Sequence, residues 1–249
     1  MATTEITAAP QELDAGMMVR RALFLVLLAG LTAYFLGLDF KGLSTPKGME
    51  QAVISREIAK GNGFITTIQK PLEWKQLEKR AKDLNGPGTT MELQATPDTY
   101  HSPLNPLVNS LILGMAKGTW TLGDKQAVYT PDVLIAGTAM VLLLASIGIT
   151  YLMVSRIFDA RIGGVTALLM LLCELLWKFS QTGLPQMLML FLFSFGTYFL
   201  YKAVENEAQG RSSLLWMALT GGFFGLLALA HWLTLWLFFG LLVFVALYF

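Results

Sequence analysis

The sequence predicts an all-α polytopic membrane protein, with about six transmembrane helices and a mainly helical extracytoplasmic loop domain between the first and second. Three observations lead there. Of 249 residues, 54% are apolar and 14% charged, against about 25% charged in an ordinary soluble domain, and the mean hydropathy is +0.55. Several uncharged runs are long enough to cross roughly 30 Å of hydrocarbon. The charge is also concentrated: ten of the seventeen acids and eleven of the eighteen bases lie between Asp39 and Asp132. The near balance of Lys plus Arg against Asp plus Glu argues against a nucleic-acid partner held by a basic face. A single cysteine excludes a disulfide framework and a cysteine-based zinc site. Two histidines leave little for a metal, so no metal site is expected, and the sequence leaves the cofactor open.

The elements follow in order. Residues 1–21 form a polar N-terminal segment closed by Arg20-Arg21, and residues 22–38 are the first span. The sequence after it, LGLDFKGL, offers no small-residue cleavage site, so the span reads as an uncleaved anchor. Residues 39–130 are too long for a structureless loop and should fold. Thr45-Pro46 is an N-cap followed by a first-turn proline, and Gly61 a stop, which predicts a helix over Pro46–Lys60. FITTI at 64–68 is β-branched and extended, with Pro71 ending it. A charged helix follows over Glu73–Leu84, broken by Asn85-Gly86-Pro87-Gly88. Residues 104–117 are apolar but short, which suits a helix on the membrane surface, flanked by Trp120 and Tyr129.

The membrane domain occupies 131–249. Its expected spans are 133–154, introduced by Thr130, Pro131 and Asp132, then 163–177, 184–201, 214–231 and 233–249. The last two divide an apolar stretch that would reach about 54 Å as one helix, too long for a single crossing; the bend is expected near His231-Trp232. Gly221, Gly222 and Gly225 inside this stretch suggest close helix packing. Arg20, Arg21, Arg156, Arg161, Lys202 and Arg211 fall on one side if the spans alternate, and the positive-inside rule makes that side cytoplasmic. The expected location is the bacterial inner (cytoplasmic) membrane, with the N-terminus cytoplasmic.

No phosphate loop, paired-histidine metal motif or nucleophile elbow is present. Glu174 interrupts an otherwise uncharged run and has Lys178 one turn on, either as a helix-end ion pair or as a carboxylate lining an outward-facing polar cavity. Glu50, Arg56 and Glu57 lie on the first outer helix, and Asp39 sits where the first span surfaces. His101 in YHSPLNP reads as a loop residue, and His231 as a core or interface histidine.

The order of the pieces resembles the opening of GT-C glycosyltransferases, such as protein O-mannosyltransferases and aminoarabinose transferases. GMEQAVISREIAKGNGF is similar to their outer helix through Ala52, Arg56, Glu57 and Gly61, and YHSPLNPLVNSLILGMAKG to their entry to the surface helix through Pro103, Pro106 and Leu107. TGLPQMLMLFLF is similar to their outer turn leading into a span. The resemblance implies sugar transfer from a polyprenyl-phosphate lipid at the membrane surface, with an outer-loop carboxylate as base. Aligned on Ala52–Gly61, the family's acidic pair falls at Lys47-Gly48, so the expected catalytic residues are Glu50 and Asp39. Arg56, His101, Glu174, Lys178 and His231 are the expected substrate-binding residues; His231 stands where many relatives carry a basic residue. These enzymes usually continue with further spans, so the chain reads as a fragment or a truncated relative.

Two readings stay open: a membrane glycosyltransferase, and a non-catalytic GT-C-like subunit packed among other membrane protein subunits in the lipid bilayer. A transporter reading lacks the broken helix pairs and internal repeat expected of one.

Overall fold

The computed structural model describes residues 15–68, 71–86, 96–120 and 128–248. The N-terminal segment up to Asp14, the helix breaker Pro87-Gly88 and the terminal Phe249 of the last expected span lie outside the described residues. The fold is all-α, with a sheet of only two two-residue strands. The first helix, α1 (Ala15–Ala33), runs on into a π-helical turn, Tyr34–Asp39. Next comes α2 (Pro46–Lys60), where Thr45 Oγ1 accepts from Gly48 N and Gly61 closes the helix at φ 94°. The strands β1 (Ile65–Thr66) and β2 (Thr96–Pro97) pair antiparallel. Between them lies α3 (Pro71–Asn85). Pro71 starts this helix rather than merely ending the extended stretch, because proline's fixed φ suits a first turn.

Helix α4 (Leu104–Met115) inverts the usual amphipathic pattern. Asn105, Asn109, Ser110 and Leu113 are buried, while Leu107, Leu111 and Met115 are exposed at i, i+4, i+8. An apolar stripe left exposed in this way is costly in water.

The remainder is a helical bundle: α5 (Thr130–Ile157), α6 (Ala160–Leu172), α7 (Glu174–Ser180), α8 (Gln186–Ala208), α9 (Leu214–Ala230) and α10 (Leu235–Tyr248). Among the described residues, Ala22–Asp39, α5 and α8 are long and apolar enough to cross a membrane. A fourth crossing is made if α6 and α7, bent by 57°, count as one. Those helices mark a membrane protein. The stretches expected as fifth and sixth spans correspond to α9 and α10, shorter apolar helices separated by a 3₁₀ turn at Trp232–Thr234.

The expected span over 163–177 is broken at Cys173 for a specific reason. The Leu171 carbonyl accepts from the Trp177 indole at 2.7 Å instead of continuing the helical ladder. Trp177 is buried and stacks on Phe35 at 5.1 Å, so the break also ties α7 to the end of α1. Around it Met140, Leu143, Ile147, Ala167, Leu171 and Met187 form the central core.

Gly221, Gly222 and Gly225 do not mediate close packing, contrary to the sequence expectation: a β-carbon at any of them would meet nothing within 4 Å. The close approach is made by Gly196 of α8, whose β-carbon would stand 2.7 Å from the buried Phe224 ring of α9. Gly196→Ala should therefore cost about 1–3 kcal/mol by overpacking. Gly222→Ala should be neutral or stabilise by about 0.5–1 kcal/mol through helix propensity. Thermal unfolding of the two variants in detergent checks the contrast.

Candidate functional site

The polar residues gather at the end of the bundle where α1 finishes and α5 and α8 begin. Helix α2 lies across that end and is held by the turn joining α7 to α8. Thr45 Oγ1 donates to the Thr182 carbonyl at 2.9 Å, and Ser44 N donates to the Gln181 carbonyl at 3.2 Å. Asn105 of α4 donates to Gln51 Oε1 at 2.6 Å and to the Gly183 carbonyl at 3.3 Å. This seam brings the α2 and α4 backbones together through small and amide side chains, of which Gln51, Asn105, Gln181 and Thr182 are buried.

Glu50 and His101 meet on the outer flank of α2. His101 Nε2 stands 3.3 Å from Glu50 Oε2, and its Nδ1 stands 3.0 Å from Asp98 Oδ2. The imidazole is 4% exposed, Asp98 7% and Glu50 18%, so Glu50 is the member that solvent or a ligand reaches. The Nε2 approach to Glu50 is not aligned as a hydrogen bond, and Nε2 is buried without such a partner. Asp98 is fixed by local chemistry. Its N–H donates to the Phe64 carbonyl at 3.1 Å, extending the β1–β2 pairing. Its Oδ1 accepts from Tyr100 N at 2.9 Å and His101 N at 2.8 Å, a turn characteristic of aspartate. At the mouth of the cluster Lys47 Nζ donates to Tyr100 Oη at 3.2 Å, and Tyr100 sits edge-on to His101 at 5.0 Å between ring centres.

Burial alone pushes the Asp98 carboxyl up. The backbone N–H and ring of His101, with the Tyr100 N–H, outweigh it and hold the carboxyl below its ordinary 3.8. A group depressed in the fold contributes stability above its unfolded value, and that stability is lost as pH falls through the folded value. Acidification below about pH 4 should therefore loosen the β2–α4 connection. Asp98→Asn should flatten the acid loss measured by unfolding against pH. Glu57 is likewise held down, by hydrogen bonds from Lys60 at 2.5 Å and Asn62 at 2.7 Å. Those contacts finish the C-terminal turn of α2.

No known protein family matches the chain, and no significant match arises among curated proteins or solved structures.

The other expected site residues fall into three separate places. Asp39, at the end of the π-helical turn, accepts from Gln181 Nε2 at 3.0 Å, and the same amide donates to the Phe35 carbonyl at 2.8 Å. Lys178 lies within electrostatic range of Asp39 and pairs with Glu174 at 2.6 Å. Both side chains of that pair are about two-thirds exposed, so they stand on the bundle's surface beside the α6–α7 break. Arg56, on another face of α2, lies over the Tyr129 ring at 5.4 Å and donates to its hydroxyl at 3.2 Å. Tyr129 in turn donates to the Trp120 carbonyl at 2.8 Å. His231 ends α9, and its Nδ1 accepts from Leu233 N at 3.2 Å to start the next turn.

Sequence reasoning missed Asp98, Lys47 and Tyr100. Asp98 carried a readable signal, an aspartate two and three residues before the N–H groups it takes; its link to Glu50 through His101 carried none. Among the described residues no group of three or more His, Cys, Asp or Glu side chains is arranged to hold a metal ion.

Proposed function

We propose that the chain is a glycosyltransferase-like membrane protein that moves a sugar from a polyprenyl-phosphate donor to a hydroxyl acceptor at the outer membrane face. The observation that carries this reading is Glu50. It is a partly exposed carboxylate on a helix at the bundle's end, backed by a buried His101–Asp98 pair. A base must be wet enough to ionise and close enough to the lipid phase to meet a membrane-bound donor. The exposed apolar face of α4 supports that placement.

In this reading Glu50 takes the acceptor's proton, and the freed electron pair forms the bond to the anomeric carbon. The sugar–phosphate bond breaks with its electrons on polyprenyl phosphate. Arg56 keeps guanidinium donors beyond the one used on Tyr129 and is the candidate for the donor phosphate. Asp39, engaged by Gln181, is the alternative base. Six crossings, with α9 and α10 as the last two, belong to the same proposal. It places Arg156, Arg161, Lys202 and Arg211 on the cytoplasmic side with the N-terminus. The test is transfer from a tritiated polyprenyl-phosphate hexose by the full chain in proteoliposomes. Full activity in both Glu50→Gln and Asp39→Asn would end this assignment.

A second reading, a non-catalytic subunit of a larger membrane assembly, is favoured by α10 and the turn before it, where Trp232, Trp236, Phe239 and Leu247 are all exposed. It predicts stoichiometric co-purification with another membrane chain. A solitary, active protein would count against it.

A further inference from the structure

We propose that Asp98 is a positioning residue that keeps the proton of His101 on Nδ1, so that Glu50 and the bare Nε2 work as one acid–base unit. The purpose of that unit rests on the sugar-transfer reading; its geometry does not. Asp98 Oδ1 is occupied by the Tyr100 and His101 N–H groups, which aims Oδ2 at Nδ1 at 3.0 Å. An ionised carboxylate only accepts, so Nδ1 is the donor, and in the neutral ring Nε2 is left with a lone pair. That lone pair is buried, without a hydrogen-bond partner, and 3.3 Å from Glu50 Oε2. Two acceptors at that distance repel, and a proton arriving on Glu50 removes the repulsion. Among the described residues, the charged and titratable groups around the ring are Glu50 and Lys47 from α2, and Asp98 and Tyr100 from its own segment.

The acceptor's O–H bond breaks, its proton passes to Glu50 and on to Nε2, and the resulting imidazolium stands between two carboxylates. Such an arrangement lowers the cost of removing the proton as the new glycosidic bond forms. Without the aspartate the ring would be free to present Nε2–H, which already donates and takes up nothing.

The test is nitrogen-15 NMR of the full chain in micelles with labelled imidazoles. The sequence holds two histidines, so His231→Gln assigns both. The expected result is that the neutral form of His101 carries its proton on Nδ1. Asp98→Asn should switch it to the Nε2–H form, because the amide nitrogen then donates to Nδ1. Glu50→Gln should keep the Nδ1–H form, because glutamine donates to Nε2. A wild-type ring protonated on Nε2 alone, or a folded Asp98→Asn with the wild-type tautomer, overturns the proposal. If Asp98→Asn does not fold, the wild-type and Glu50→Gln spectra decide it. The expected tautomers together with absent sugar transfer would sink the transferase reading and leave the positioning role standing.

Discussion

Glu50→Gln should lower sugar transfer by about 10²–10⁴-fold, the range typical for removing a positioned general base. Glutamine matches glutamate in size and still reaches His101, so the fold should survive; equal expression and an unchanged melting temperature are the controls. The loss should appear in kcat rather than KM, because the carboxylate meets the acceptor proton only as the bond forms. Asp39→Asn provides the comparison. Its carboxylate accepts from Gln181 at 3.0 Å, and an amide oxygen accepts there equally well. Loss in Glu50→Gln with near-normal transfer in Asp39→Asn would assign the base to Glu50. The opposite pattern would move it to Asp39.

Gly48→Ala should be the most damaging single methyl addition in α2. Its β-carbon would collide with the Thr182 carbonyl and stand 2.8 Å from the Thr45 hydroxyl that caps the helix. One obstacle is backbone and the other an engaged cap, so neither yields cheaply. About 1–3 kcal/mol is the usual cost of overpacking, and loss of the cap would add roughly 1 kcal/mol more. Thermal unfolding in detergent measures it, with Gly30→Ala as the control because nothing lies within 4 Å of that position. A Gly48→Ala melting temperature equal to that of the control would show that the seam is loose. The same collision shows that no larger residue fits at position 48, where α2 meets the α7–α8 turn.

Helix α2 was legible to the residue because its signals are local: a threonine cap, a first-turn proline and a left-handed glycine. The cluster beside it was legible only in part. Asp98 and His101 are three residues apart and linked by turn chemistry, but Glu50 reaches His101 through tertiary packing, which no spacing reveals. The α6–α7 break was hidden for a similar reason. Cys173 is no helix breaker; an indole four residues later takes the carbonyl that would have continued the helix. The glycines misled in the other direction. Three close together in α9 suggested a contact that a single glycine in α8 makes, because close approach depends on which face meets a neighbour and not on glycine density.

The seam between α2 and the α7–α8 turn has a consequence for biosynthesis. Thr45 bonds to Thr182 across 137 residues, and Phe35 to Gln181 across 146. At ribosomal speeds of about 5–20 residues per second, α2 waits roughly 6–24 s after its own synthesis for the turn it rests on. During that interval the helix has its cap and stop, but Gly48 lacks the Thr182 backbone that later covers it. The nascent chain must hold this half-built surface at the membrane until later spans arrive. Slowed translation between Asp132 and Thr182 would lengthen that exposure and favour degradation over assembly.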